Sequence, residues 1–333
     1  MKKIIALILS LDMTLSLAAC GSSAPAETKA PEAAVSETFK VAIIQQLDHS
    51  SLDEIRTAIE AQLNALAAEK GIAIEISYDN GQNDTSMLTQ IATQVVSDEP
   101  DLIIPIATLA AQYAVLAAEG TNIPIVYAAI SDPESAGLTG LSNVTGVSDA
   151  LNTPFILDMM LAAQPDVKTV GLLYSTSEIN SLTPIAQAKE YLDSKGIAYI
   201  EKTGTTSGEI TEAAASLVGR VEAVFTPTDN AVMAAEAAVA ELLNADGIAH
   251  YTGADSFVQS GAFTTCGVNY TELGTKSADI AFDILMGGEI GEFVVMDGGI
   301  ITVNTDTAAA CGIDYSVFNS MANTVNAVTT VVD

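Results

Sequence analysis

Apolar runs rich in β-branched residues alternate with segments of helical period along almost the whole chain, and they do so in two series. "FKVAIIQ" (39–45) is continuous and apolar, as expected of a parallel strand covered on both faces. It leads into 50–71, where Ile55, Ile59, Leu63 and Leu66 recur at helical spacing. Ser51 or Asp53 can cap the start of that segment and Gly71 its end. "IAIEISY", "DLIIPIA" and "IPIVYAA" read as three more strands, separated by helices in "NDTSMLTQIATQVVSDEP" and "LAAQYAVLAAEG". A second series begins near Leu151 with a helix in "TPFILDMMLAAQ". Its strands are "VKTVGLLYS", "IAYIEK", "VEAVFT" and "IAHYTG". Its further helices run through "TPIAQAKEYLDSKG", "EITEAAASLV" and "DNAVMAAEAAVAELLNADG". Strands alternating with helices specify α/β structure with right-handed crossovers, and two series predict two doubly wound parallel-sheet lobes. Sheets of this kind bind ligands beyond the carboxyl ends of their strands.

Polar residues gather at those ends. Gln45, Gln46, Asp48, His49 and Ser50 close or follow the first strand. Thr108 and Ala110 stand in the first turn of the helix after the third, where backbone amides lack helical partners, and "SDPESAGL", with Ser131 and Asp132, follows the fourth. In the second series "LLYSTSEINSLTPI" carries Ser175, Ser177, Glu178, Asn180 and Ser181. "TPTDN" brings Asp229 and Asn230, and "GADS" brings Asp255. Hydroxyls and free amides at helix N-termini hold a carboxylate without an arginine. Glu178, Asp229 and Asp255 offer charge-assisted hydrogen bonds to an ammonium. Together these groups suit a zwitterion such as a free amino acid. Each also has a purely structural reading. Asp229, Ser177 and Ser181 are good helix caps, Asp132 before Pro133 forms turns readily, and His49 suits a surface or cap position. Tyr113, Tyr174, Tyr251, Phe257 and Phe155 are available either to stack on an aromatic ligand or to pack in the core.

Several functions are excluded or unsupported. The chain carries 12 basic against 42 acidic residues, a net charge of −30, which opposes binding to nucleic acid or anionic lipid. Ser175 and Ser177 lack the GxSxG elbow and adjacent base of a serine nucleophile, and no GxGxxG or GxxxxGK[ST] motif occurs. The two histidines and three cysteines show no metal-ligand spacing, so neither metal nor cofactor is expected. Cys266 and Cys311 lie in apolar runs and read as buried free thiols, with a disulfide between them left open.

The N-terminus stands apart from the repeating pattern. "MKK" is basic, most of the next sixteen residues are apolar apart from Asp12, and "LAAC" ends at Cys20. Residues 1–20 thus resemble a lipoprotein signal peptide whose cysteine is lipidated and becomes the mature N-terminus. Residues 21–38 are small, polar and Pro-dotted, which predicts a flexible tether.

"HSSLDEI", "ATLAAQ", "SDPESAGL", "NVTGVSD", "SEINS", "PTDN" and "GVNYTELG" occur in this order from 49 to 274. In that combination the chain resembles the substrate-binding lipoproteins of ABC transporters, in the branch that includes tryptophan-, tyrosine- and phenylalanine-binding proteins. The resemblance implies a type I periplasmic-binding fold with three hinge crossovers, near Ser148, near Val268 and between about Glu289 and Gly299. It implies an N-lobe of 39–148 plus 269–290 and a C-lobe of 149–268 plus 299–333. Thr108 would lie in the first-lobe pocket and Ser177, Glu178, Asn180 and Ser181 in the second, with Asp229 and Asp255 facing them. The implied function is extracytoplasmic capture of an aromatic amino acid for delivery to an ABC permease and its ATPase, by a lipid-anchored monomer. The alternative is a ligand-sensing receptor, or an importer protein for another amino acid, a nucleoside or a sugar.

Overall fold

The computed structural model describes residues 37–331. The expected signal peptide, Cys20 and residues 21–36 of the tether lie outside the described residues. The first strand begins at Thr38, one residue inside the expected tether. Two sheets organise the chain, and both belong to one compact unit.

The first sheet is built from β1 (Thr38–Gln45), β2 (Ala73–Asn80), β3 (Leu102–Ile106), β4 (Ile125–Ala128) and β5 (Val144–Ser148). The intervening helices are α1 (Ser50–Lys70), α2 (Thr85–Ser97) and α3 (Thr108–Ala117). The second sheet starts after α4 (Thr153–Ala163) with β6 (Thr169–Tyr174), β7 (Ala198–Thr203), β8 (Ala223–Thr226), β9 (Ala249–Thr252) and β10 (Thr264–Gly267). Here α5 (Leu182–Lys195), α6 (Ser207–Ala215), α7 (Asn230–Met233), α8 (Glu236–Ala245) and α9 (Asp255–Gln259) make the connections. The chain then returns to the first lobe as α10 (Tyr270–Leu285) and the two-residue β11 (Val294–Val295). It closes in the second with β12 (Ile300–Asn304), α11 (Thr305–Cys311) and β13 (Thr324–Val328).

The strand orders are β11-β5-β4-β3-β1-β2 and β13-β12-β10-β9-β8-β6-β7. All pairs are parallel except β10 with β12. The two orders repeat one doubly wound pattern, so each lobe has a switch point, β1/β3 in the first and β6/β8 in the second. The chain crosses between sheets three times, at 149–152, 268–269 and 296–299.

Burial explains the continuous apolar strands. Ile43, Ile44, Ile103 and Ile104 are fully buried because helices cover both faces of the sheet. Between α1 and α10 the backbones approach closely at Gly274, where a Cβ would come within 2.5 Å of the Ile55 carbonyl oxygen. A side chain there would push α10 off the first lobe. Several local readings differ from the structure. "VTGVS" forms β5 and "TTCG" forms β10, α9 and α11 are helices not foreseen, and the single helix expected over "DNAVMAAEAAVAELLNADG" breaks at Ala235 into α7 and α8. Cys266 is buried as expected, whereas Cys311 is half-buried; both are free thiols, pushed up to about 11 by burial.

Candidate functional site

The carboxyl ends of both sheets meet across a cleft, and side chains from the two lobes hydrogen-bond directly across it. Gln46 Nε2 donates to Glu178 Oε1 at 2.7 Å, and His49 Nε2 to Asn230 Oδ1 at 3.4 Å. Ser51 Oγ accepts from the Ser256 amide at 3.2 Å, and Thr183 Oγ1 donates to Asp132 Oδ2 at 2.6 Å. Ser131 and Thr228 hydroxyls stand 2.8 Å apart. Because Ser131 Oγ gives its hydrogen to Asp149 Oδ1 at 3.0 Å, the Thr228 hydroxyl is the donor of that pair.

These contacts enclose a cavity of about 30 Å³, room for a water-sized guest and too little for an amino acid. The lobes must part to admit anything larger. Its polar wall includes His49, Thr108, Ser131, Asp149, Asn180 and Asn230. Its apolar wall includes Leu52, Met233, Phe257 and the ring of Tyr270. Backbone geometry at the cavity is unusual. Ala107 and Ala129, which both line it, have φ of 73° and 58°, conformations that cost a non-glycine residue of order 1–3 kcal/mol. Gly253 is required where β9 ends, since a Cβ there would lie 2.5 Å from the Thr228 amide nitrogen. Two buried acceptors on lining residues, His49 Nδ1 and Asn180 Oδ1, have no donor. A second hollow of about 550 Å³ lies at the hinge and shares Asp149 and Tyr270 with the cleft.

Of the residues expected from sequence, Thr108, Ser131, Asn180, Asp229 and Asn230 line the cavity. Gln45, Ala110, Asp132, Ser177, Glu178, Ser181 and Asp255 are not among its walls. Gln45 Nε2 is turned to Leu47 O and Asp53 within its own lobe. Ala110 is buried in the first-lobe core. Asp132 caps a turn through Ser135, Ser177 is exposed and bonded to Ser175, and Ser181 Oγ donates to Asp229 Oδ2. Burial and the Glu54 carboxylate raise Asp255 to about 6.

Asp229 lines the cavity but its oxygens are occupied: Oδ1 accepts from the Val232 amide at 2.9 Å, and Oδ2 from the Ser175 amide at 2.6 Å and from Ser181. It is a cap for α7 that also ties β6 to β8, and its carboxyl is raised by burial. Glu178 is fully buried, accepts from Gln46 and, at 3.1 Å, from Asn230 Nδ2, and is pushed up to about 8 by burial and by Asp229. Burial lowers His49 to about 4, so its imidazole is neutral. Asp149 also lines the cavity; its Oδ1 accepts from the Ser131 hydroxyl, and burial raises it to about 6.

Asp149, inside "NVTGVSD", escapes the strand-end rule because that short, glycine- and hydroxyl-containing segment does not read as a strand. The rule also misses Tyr270, an N-terminal residue of α10 that reaches the cleft only through the second crossing. Among the aromatic residues available for stacking, Phe257 lines the cavity. Tyr113, Tyr174, Tyr251 and Phe155 instead pack against the cores of their lobes.

Residues 40–322 match the family model for ABC transporter substrate binding proteins. The chain is 33% identical over 321 residues to a tyrosine-binding protein of Clostridioides difficile (strain R20291), covering 93% of this chain and 92% of that one. A Streptococcus protein solved in complex with L-Trp superposes with a TM-score of 0.80 at 28% identity, over 87% of this chain and all (100%) of the other. A ligand-free, open substrate-binding protein with adhesive properties from Clostridium difficile superposes with a TM-score of 0.66 at 32% identity, over 88% and 100%. The chain belongs to the ABC transporter substrate-binding protein family, and its two-sheet architecture is the type I periplasmic-binding fold. Members of this family act outside the cytoplasm, binding small molecules for an ABC permease.

Proposed function

We propose that this protein captures an aromatic amino acid between its lobes and presents it to an ABC permease, without catalysing any reaction on it. The observation that carries this reading is one cavity between the lobes lined by both hydrogen-bonding and apolar, aromatic side chains. Thr108, Ser131, Asn180, Asn230 and Asp149 supply hydrogen-bonding groups, while Leu52, Met233, Phe257 and Tyr270 supply an apolar and aromatic wall. An α-ammonium needs a carboxylate with a free oxygen. Glu178 and Asp229 are engaged by protein donors through both oxygens, and Asp255 is not among the cavity's walls, which leaves Asp149 as its partner. His49 Nδ1 and Asn180 Oδ1 provide the remaining acceptors. The Thr108 hydroxyl and the first turn of α3 face the ligand carboxylate, and Phe257 with Tyr270 flanks its ring.

The names of the relatives support the ligand class, and the closer superposition on the L-Trp complex than on the open structure agrees with closed lobes here. The lobes comprise 39–148 plus 269–290 and 149–268 plus 299–333, and β11 extends the first. The protein acts as a monomer held at the membrane through a lipid on Cys20, with permease and ATPase subunits as partners. Isothermal titration with L-tyrosine, L-tryptophan and L-phenylalanine, beside other amino acids, nucleosides and sugars, tests the reading. One-to-one binding confined to the aromatic amino acids is expected. Binding of a different solute class alone overturns the ligand assignment.

A further inference from the structure

Glu178 and Gln46 hold the lobes together from opposite sides of the cleft, outside the ligand cavity. Gln46 is rigidly held in its own lobe. Its backbone amide donates to Ile106 O at 3.2 Å, its Oε1 accepts from the Leu109 amide at 3.0 Å, and its Nε2 also donates to Asn83 Oδ1 at 2.8 Å. That leaves one direction for its remaining amide hydrogen, across the cleft to Glu178. Ile179, next in the chain, packs against the first-lobe core, so the whole turn after β6 is seated on the opposite lobe.

Among the described residues, no cation is bonded to Glu178. The charge that acts on it is that of Asp229 at the start of α7; Asp48 and His49 after β1 and Asp84 at the start of α2 stand on the segments that carry Gln46 and its partner Asn83. Asp84 is turned to the Met87 amide, and His49 is neutral and bonded to Asn230. Asp229 is a second buried carboxylate acting on Glu178. None of the side chains bonded to Glu178 is a lysine or arginine. Closing the lobes therefore moves a carboxylate from water into a buried site beside another carboxylate, with only amide donors to stabilise its charge. Opening reverses this by separating Gln46 from Glu178 and admitting water.

We propose that Glu178 is an interlobe latch that takes up a proton when the lobes close, so that ligand capture is coupled to pH. Closed, the carboxyl is held at about 8; open and hydrated, it returns toward the ordinary glutamate value near 4.5. The group is raised in the closed form, so its contribution to closure is complete below the open-state value and is lost as pH rises through the closed-state value. Between those limits closure weakens by up to about tenfold per pH unit. At pH 7, above the open-state value and below the closed-state one, closure takes up a proton at Glu178.

The test has two arms. Titration calorimetry with L-tyrosine at pH 7, in buffers of different ionisation enthalpy, counts protons taken up on binding; this arm rests on the aromatic amino acid reading. Uptake near one proton in the wild type, abolished in Glu178→Gln, is the expected result. Absence of uptake in the wild type, or uptake that persists in Glu178→Gln, overturns the latch. The second arm needs no ligand: small-angle scattering of the unliganded protein at pH 5.5 and 8.5. The wild type is expected to be more compact at pH 5.5, and Glu178→Gln to show the same dimensions at both. If L-tyrosine gives no binding heat, the ligand reading fails and the scattering decides the latch alone. Wild-type dimensions that do not change with pH overturn it.

Discussion

Two buried polar groups in this protein are built from similar residues and behave differently. In the second lobe, Thr226, Glu236 and His250 are fully buried within one sheet-and-helix layer. Thr226 Oγ1 donates to Leu173 O at 2.9 Å and so accepts from His250 Nε2 at 2.8 Å, which leaves His250 Nδ1 facing Glu236 Oε1 at 2.9 Å. An acid and a base thus share a proton inside a single lobe. At the cleft, Glu178 and Asp229 are equally buried but meet only amides, hydroxyls and each other. The contrast is between a carboxyl hydrogen-bonded to an imidazole within one lobe and carboxyls that meet only neutral donors and each other where two lobes join. The first arrangement fixes a core, and the second makes the state of the interface depend on water, protons and ligand.

The largest expected effect tests the matched side. Glu236→Ala leaves His250 buried without its partner and should lower unfolding stability by about 3–5 kcal/mol in urea titrations. A loss below about 1 kcal/mol would show that the pair does not organise the core. Next comes the open carboxylate of the cleft. Asp149→Asn should weaken binding of L-tyrosine by about 2–5 kcal/mol, roughly 30-fold or more, while unliganded stability changes little. Unchanged affinity in calorimetry would remove Asp149 as the ammonium partner.

Asp229→Ala is expected to act mainly on stability. It strips the cap from α7 and leaves the Ser175 and Val232 amides without acceptors, a loss of about 1–3 kcal/mol by chemical denaturation. A large affinity loss with unaltered stability would instead restore it to direct ligand contact.

The last test is a pH profile in the unliganded protein. Burial raises Glu178 to about 8 and Asp149 and Asp255 to about 6. Their neutral forms favour the folded state, so that stabilisation is full at low pH and declines as pH rises through those values. Melting temperature, once other groups are accounted for, should fall between pH 5 and 8.5 in the wild type. Glu178→Gln should keep the decline that ends near 6 and lose the decline that continues up to about 8. Identical profiles would place Glu178 in water rather than in the closed cleft.

Much of the fold was legible because its signal is local. A strand covered on both faces reads as an apolar run, and a helix against a sheet reads as a 3.6-residue period. β5 escaped because "VTGVS" is short, with glycine and two hydroxyl residues, and α9 spans only five residues. The break between α7 and α8 was hidden by an alanine-rich stretch that favours helix throughout. At the site, strand ends led to Thr108, Ser131, Asn180 and Asn230. The same rule overlooked Asp149 because its strand was overlooked.

The sequence by itself determined the elements, their winding into two parallel sheets, the acidic character of the chain and the polar loops that edge the cleft. Only the tertiary structure decided which carboxylates are saturated and which remains open. The partners that decide it are remote along the chain: the Ser175 amide and Asp229 are 54 residues apart, Gln46 and Glu178 132 apart. A carboxylate reads the same in sequence whether it caps a helix, latches two lobes or waits for an ammonium. The donors that folding brings to its two oxygens set its role.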